Sequence, residues 1–405
     1  VKEKILCGLD VGSSKVYAVI AEFSQEEKIV KILGIGEAGC EGLKNGVVVN
    51  IDNTSCAVSR AIEEAEKEAQ VKVKDVIVNV NGHHIEGNLQ QGATKVPRSD
   101  REITQEDVER VISSARAVPL ASDKQIIHAI PLDFKVDTQK GVDNPVGMEG
   151  NHLEVEVLLI TGDSAPVNNL NKSITRTGVG IQSITASVLA PASAVITKEE
   201  KELGCVLVDV GAQTVNLAVY VEGSLCYIGH IDFGSAYITR DLAHLLRTSF
   251  AEAKRIKETY GSAVKENRLD DEVSYQGIDG HTKYTAPIEK INRIIESRVD
   301  EMIDFIEDAI IQSGFRQMIP GGIVLSGGGA QLNGMERALS KRMDDLDVRV
   351  GKCRGVKGKN ESETKAEYST AIGLIKFAAE EQDVIEIAGG RGFFDKLKIW
   401  IEELF

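Results

Sequence analysis

The sequence has no surplus of positive charge. Its 47 Lys and Arg stand against 62 Asp and Glu, a net charge of −15 at pH 7. Clustered cations able to neutralise a phosphate backbone are missing, which excludes general nucleic-acid binding. No apolar run is long enough to span a bilayer, and no signal-peptide pattern is visible at the start. The six cysteines, at 7, 40, 56, 205, 226 and 353, form no Cys-x-x-Cys pair. They read as small buried residues of a reducing cytoplasm rather than a zinc site or disulfide frame. There is no G-x-x-x-x-G-K-[ST] phosphate loop. Gly34 to Gly39 matches G-x-G-x-x-G by letter, but extended or turn character through Ile51 follows it. Without a helix there, a dinucleotide site is rejected. His83-His84 has no companion ligand cluster, so a surface loop pair is expected. What remains is a 405-residue chain, 42% hydrophobic and 27% charged, a soluble protein of roughly two to four domains or subdomains.

Against these absences one pattern is present twice. In ILCGLDVGSSK, Ile5 to Lys15, an apolar run ends in Asp10, a Gly12-Ser13-Ser14 turn follows, and an alternating run, Val16 to Glu22, leaves it. That predicts two strands joined by a tight turn. Small residues let backbone N–H groups converge on an anion, and an acid before the turn can hold a divalent cation against it. CVLVDVGAQTVNLAVYVE, from Cys205, repeats the design with Asp209, Gly211-Ala212-Gln213-Thr214 and a second alternating strand. Asp10 and Asp209 lie 199 residues apart, which suggests two related halves offering phosphate hairpins to a shared cleft. A third glycine run, Gly327-Gly328-Gly329, closes an apolar strand and opens a helix-like segment from Leu332 to Arg342. Backbone can lie flat against a ligand there.

Along the chain, Val30 to Glu37 reads as a strand, Thr54 to Gln70 as an amphipathic helix and Val76 to Val80 as a buried strand. From Gly82 the composition turns polar and glycine-bearing. Thr104 with Asp107 forms a capping box for a helix to Ala117, and strands follow at Ile126 to Val136 and Leu153 to Ile160. Residues 82–161 read as a small inserted α+β subdomain. Helices are expected at Val167 to Thr177, Ala190 to Lys198, Ile238 to Ser249 and Glu252 to Tyr260, and a strand at Ser224 to Ile231. Ile288 to Ile311 is a long helix with a core-facing stripe. Arg349 to Ala366 reads as a surface loop, Tyr368 to Ala379 as a last core helix and Glu380 to Gly392 as a linker. In the final GFFDKLKIWIEELF, Phe393, Phe394, Leu397, Trp400, Ile401, Leu404 and Phe405 share one helical face. Aromatic content and the linker favour a membrane surface over docking on the parent domain. Bases balance acids there, so a reversible anchor is expected.

Taken together, GLDVGSSK, ILGIGEA…GLKNGVVVNI, REITQEDVERVI, NPVGM…LEVEVLLITG, AKRIKETYG, GIVLSGGGAQLNGM and the tail resemble the FtsA family of actin-like bacterial cell-division proteins over nearly the whole chain. The resemblance implies an α/β actin-like fold around a nucleotide cleft. Its subdomains would be 1A (1–81, 162–200 and 366–379), 1C (82–161), 2A (201–235 and 318–365) and 2B (236–317), then a linker (380–391) and a membrane-targeting helix (392–405). It implies ATP with Mg2+, Asp10 and Asp209 facing the metal. Gly12, Ser13, Ser14 and Lys15, with Gly211, Ala212, Gln213 and Thr214, would hold phosphates. Gly327, Gly328, Gly329 and Lys257 would border the adenosine, with Gly234 nearby. It further implies protofilaments on the inner membrane face, recruitment of later division proteins, and capture of the FtsZ C-terminal peptide at Arg298, to which Arg293 and Lys290 are added here. Three departures bear on catalysis. The second turn is usually GGGT. A Glu or Gln commonly stands where Ser187 falls, and a hydroxyl is no useful base near neutral pH. Lys254 replaces a usual Glu, with Glu252 the nearest substitute. ATP binding is therefore expected above hydrolysis. The alternatives are a small-molecule kinase of the same superfamily and an actin-like pilus-assembly protein.

Overall fold

Two sheets of one topology carry the two hairpins. The computed structural model describes residues 4–24, 26–97, 101–265, 271–358 and 361–387. The chain begins with the meander β1 (Lys4–Val11), β2 (Lys15–Ser24) and β3 (Ile29–Gly39). A short hairpin, β4 (Leu43–Lys44) and β5 (Val47–Val48), leads into α1 (Ile51–Ala69) and β6 (Asp75–Val80). The chain then leaves this sheet for β7 (Glu86–Lys95), α2 (Gln105–Arg116), β8 (Lys124–Val136), β9 (Gln139–Val142) and β10 (His152–Asp163). It returns through α3 (Ser164–Thr175), β11 (Gly180–Ala186) and α4 (Leu189–Val195). After α5 (Lys198–Leu203) the second meander is β12 (Cys205–Val210), β13 (Val215–Val221) and β14 (Ser224–Ile231). Then come α6 (Ala236–Leu246), α7 (Phe250–Tyr260), β15 (Glu272–Gln276), β16 (Lys283–Pro287) and α8 (Ile288–Gln312). The chain closes with β17 (Ile323–Ser326), α9 (Met335–Arg342), β18 (Val348–Val350), β19 (Val356–Lys357) and α10 (Ser369–Ile387).

The first sheet runs β11-β6-β1-β2-β3-β19 and the second β14-β13-β12-β17-β18. In each, an antiparallel meander is flanked on its first strand by two parallel strands. Register matches to the residue: Asp10 pairs with Tyr17 and Val11 with Val16, as Asp209 pairs with Asn216 and Val210 with Val215. The two aspartates thus occupy one structural position, duplicated. A core packs between the halves, with Leu6, Val19 and Ile77 from the first sheet and Leu207, Ala218 and Val324 from the second. The wholly buried α4 and the apolar face of α10 fill the space between them. The inserted subdomain is a four-stranded sheet, β7-β10-β8-β9, with α2 packed through Val108, Val111 and Ala115.

Gly34 and Gly36 lie inside β3, in the expected strand, where a Cβ would strike α1 backbone at 2.5 and 1.9 Å; they are there for helix–strand contact. Several other expectations need correction. His84 is buried, not on the surface, and its Nδ1 accepts the Asp163 N–H at 3.1 Å. Cys56 is exposed and Cys226 half-buried, so burial holds for only part of the cysteine set. The polar stretch after Gly82 contains β7, an edge strand with little to bury, and β15–β16 was not foreseen. The 349–366 loop contributes to β18, an edge of the second sheet, and contains β19, an edge of the first, and the helix expected from Leu332 begins at Met335 after a 3-10 turn. α10 runs to Ile387, into the stretch read as linker. The amphipathic tail, 392–405, lies outside the described residues.

Candidate functional site

The two hairpin turns face one another across a cleft of about 520 Å3. Asp10 is held at its floor by Asn79 of β6, whose Nδ2 donates to Asp10 Oδ1 at 2.6 Å while its Oδ1 accepts the Val11 N–H at 2.7 Å. Burial, and then the facing Asp209, push the Asp10 carboxyl up to about 7. Burial also pushes Asp209 up to about 6, against the pull of donors from Asn216 and Ser326. Asp209 Oδ1 is buried with no hydrogen-bond partner. An unpartnered carboxylate oxygen opposite a second carboxylate suits a hard divalent cation. No cluster of three or more His, Cys, Asp or Glu among the described residues can hold a metal. A cation here would therefore complete its shell from water and an anion.

The turns supply the anion side. Gly12 N–H donates to Lys15 O at 3.0 Å and Gly211 N–H to Thr214 O at 2.9 Å, closing both turns alike. Gly12, Ser13, Ser14 and Lys15 line the cleft on one side, and Gly211, Ala212, Gln213 and Thr214 on the other. Lys15 is also paired with Glu37 at 3.0 Å. In the second turn the departure from glycine is accommodated by turning Gln213 outward from its own half, where Oε1 accepts the Asn45 N–H at 2.8 Å. Gly327, Gly328 and Gly329 line a third wall. Gly327 has φ +81° and a Cβ there would meet Asp209 Oδ1 at 2.7 Å, whereas a Cβ on Gly328 meets nothing within 4 Å. Backbone alone therefore faces the space beside Gly328.

Lys257 lines the cleft, its ammonium donating to Ser235 O at 3.1 Å, and burial pushes it down to about 8. Lys254 and Glu258 line the same wall, 3.9 Å apart. Glu252 is no substitute for the missing acid: it accepts two bonds from Arg255 and one from the Gln276 N–H, and it does not line the cleft. Gly234 does not line it either. It lies behind the second turn, where a Cβ would meet Ala212 backbone at 2.6 Å. Ser187 does line it, 3.3 Å from Asn79 Nδ2. Away from the cleft, Arg298 donates to Asp241 at 2.6 Å and to Glu301, and lies 5.6 Å from the Phe233 ring centroid. Arg293 pairs with Glu289 at 2.9 Å. The apolar face from Phe393 to Phe405 is outside the described residues. Sequence reasoning missed Asn79 and Asn81, both lining the cleft. The signal was there in Val-Asn-Val-Asn, two polar residues at i and i+2 ending an otherwise apolar strand.

A family profile described as "Cell division protein FtsA" matches residues 206–373, and one described as "SHS2 domain inserted in FTSA" matches 82–161. Cell division protein FtsA of Neisseria meningitidis serogroup B is 35% identical over 415 residues, covering all of this chain and 99% of that protein. FtsA of Escherichia coli K12 is 31% identical over 385 residues, covering 93% and 91%. Among solved structures, a PilM–PilN type IV pilus biogenesis complex matches with TM-score 0.65 at 14% identity, covering 93% of this chain and 99% of that one. MreB 5 of Spiroplasma citri bound to AMPPNP matches with TM-score 0.57 at 12% identity, covering 95% and 99%. These likenesses show an actin-like fold.

Proposed function

The chain belongs to the FtsA family of cell division proteins, and on that premise we propose that its cleft binds ATP with Mg2+ and that it tethers FtsZ filaments to the cytoplasmic membrane. The observation that carries the nucleotide reading is the duplicated aspartate pair, with the unpartnered Asp209 Oδ1 between two glycine turns. Asp10 and Asp209 would hold the metal through water, the turns at Gly12–Lys15 and Gly211–Thr214 the phosphates, and Gly327–Gly329 with Lys257 the nucleoside end. The metal supplies charge neutralisation between carboxylates and phosphates that would otherwise repel. A structural neighbour of the same fold is bound to AMPPNP, which supports the reading by analogy of fold. Ser187 stands where a water-positioning acid or amide would help, so turnover is expected to be slow.

The scaffold reading rests on family membership, on the amphipathic face at 393–405, and on Arg298 and Arg293 as contacts for the acidic FtsZ peptide. Arg298 already serves Asp241 and Glu301, so the peptide would share or displace those carboxylates. Self-assembly into protofilaments on the inner face of the membrane and recruitment of later division proteins complete the proposal.

The test measures ATP binding by calorimetry with and without Mg2+, phosphate release, and pelleting with liposomes and FtsZ, beside a chain ending at Gly390. Metal-dependent ATP binding, little turnover and tail-dependent pelleting support the proposal. Absence of ATP binding overturns the nucleotide reading; pelleting with liposomes unchanged by truncation overturns the anchor.

A further inference from the structure

Asn81 is the residue before the inserted subdomain and also a residue of the cleft wall. Its side chain is held at both ends. Oδ1 accepts the Gly82 N–H at 2.8 Å, which shapes the turn into the subdomain, and Nδ2 donates to Thr214 Oγ1 at 3.1 Å. The first bond stays within the turn, which Ile85 N–H to Gly82 O also closes at 3.0 Å; the second crosses to the other half of the molecule. The tip of the β4–β5 hairpin packs on the same residue, a Cβ on Gly46 lying 3.1 Å from Asn81 Cβ. That tip also joins both turns, with Asn45 N–H donating to Gln213 Oε1 at 2.8 Å and Gly46 N–H to Ser13 Oγ at 2.9 Å. On the far side of Asn81 the two strands carrying the subdomain are tied to each other. Glu86 pairs with Thr161 in the sheet, and Asp163 N–H donates to His84 Nδ1 at 3.1 Å. The two connections therefore move together, and Asn81 fixes one of them to the second turn.

We propose that Asn81 is a positioning residue that makes the inserted subdomain responsive to the occupant of the cleft through its bond to Thr214. The proposal rests on the reading that the 211–214 turn receives phosphate. A hydroxyl has one proton to give and two lone pairs. Thr214 Oγ1 can accept from Asn81 and at the same time donate to a phosphate oxygen. A donor so engaged becomes a better acceptor, because hydrogen bonds in a chain polarise one another. An anion at the second turn thus strengthens the Asn81 bond and stiffens the root of the subdomain, whereas an empty turn leaves that bond at its weakest.

Hydrogen–deuterium exchange on the full chain tests this, with wild type, Asn81→Ala, Thr214→Val, Thr214→Ser and the Asn81→Ala/Thr214→Val double variant. Each is measured with and without Mg2+ and ATP, and ATP binding is measured on the same samples. Without nucleotide, Thr214→Val is expected to speed exchange in the 82–87 peptide by roughly 3- to 10-fold, and Asn81→Ala at least as much, since it also frees the Gly82 N–H. The double variant should exchange no faster than Asn81→Ala, which already removes the bond to Thr214, and Thr214→Ser should restore the wild-type rate. With nucleotide, exchange at 82–87 and 161–164 should slow in wild type and not in Asn81→Ala. Exchange within 153–158, at the centre of the inserted sheet, should be the same in all five proteins. A wild-type rate at 82–87 in Thr214→Val, or additive effects in the double variant, overturns the proposal. If no protein binds ATP, the nucleotide reading falls, and the nucleotide-free comparison of Thr214→Val with Asn81→Ala still decides the link.

Discussion

Asp209 shows what the site costs the fold. A carboxyl raised to about 6 from its ordinary 3.8 is disfavoured in its charged form by folding. The cost is complete above pH 6 and vanishes as pH falls below 3.8, about 3 kcal/mol at pH 8. Asp209→Asn, in chelator and without nucleotide, should therefore melt above wild type at pH 8 and converge with it by pH 4, while losing metal-dependent ATP binding. A variant no more stable than wild type at pH 8 would mean that the orphan Oδ1 costs nothing. His128 runs the other way. Its Nε2 accepts the Ala186 N–H at 3.1 Å, and burial lowers it to about 4 from 6.5. A base with a depressed value keeps its full contribution above pH 6.5 and loses it as pH falls toward 4, because the unfolded chain takes the proton first. His128→Gln keeps an acceptor and cannot charge. Between pH 7 and 4 wild type should lose about 3 kcal/mol more than this variant in urea unfolding; equal losses would show that the ring is protonated without penalty. Asp10 and Asp209 were legible because the motif repeats. Asn79 and Asn81 were not, since they fall within and just after a short apolar strand read as buried and belong to no repeated motif.

At the scale of elements, local chemistry was legible where it is self-contained. The Thr104–Asp107 box starts α2 as expected: Asp107 accepts the Thr104 N–H at 2.9 Å and pairs with Arg110. Arg110 in turn reaches Thr94 Oγ1 at 2.9 Å and Lys95 O at 3.2 Å on β7, so the cap also ties the helix to an edge strand. Thr104→Ala should cost about 1 kcal/mol as a lost cap. Asp107→Ala, which also releases Arg110 from a buried partner, should cost about 2–3 kcal/mol. Urea unfolding of both variants checks the order; equal costs would show that the Arg110 link contributes nothing. What was not legible depends on neighbours far along the chain. β7 buries only Gly92, so its strand character comes from pairing with β10 and has no periodic signature. β15 does alternate, burying Val273 and Tyr275, but its five residues are too short to stand out. The helix expected from Leu332 starts only at Met335 because the 3-10 turn ends at Gln331 and Gly334, the residue before the helix, is left-handed at φ +77°.

For the whole molecule, duplication makes two halves and the shared core makes them one unit. Leu6, Val19 and Ile77 share a buried cluster with Leu207, Ala218 and Val324, so opening one half exposes apolar surface of the other. A ligand between the turns should accordingly stabilise the unit rather than one half of it. At a Mg2+–ATP concentration 100 times its Kd the gain is about 3 kcal/mol, and it should appear as a shift of a single thermal transition. Gly328 provides the control. An added Cβ there meets nothing within 4 Å and the backbone is not left-handed, so Gly328→Val should fold with wild-type stability while its side chain fills the space the nucleotide needs. Its transition should match wild type without ligand and stay in place when ligand is added. If wild type instead showed two transitions with only one moving, the halves would be independent and the cluster between α4 and α10 would not couple them. If Gly328→Val shifted as wild type does, the third glycine run would not border the nucleotide.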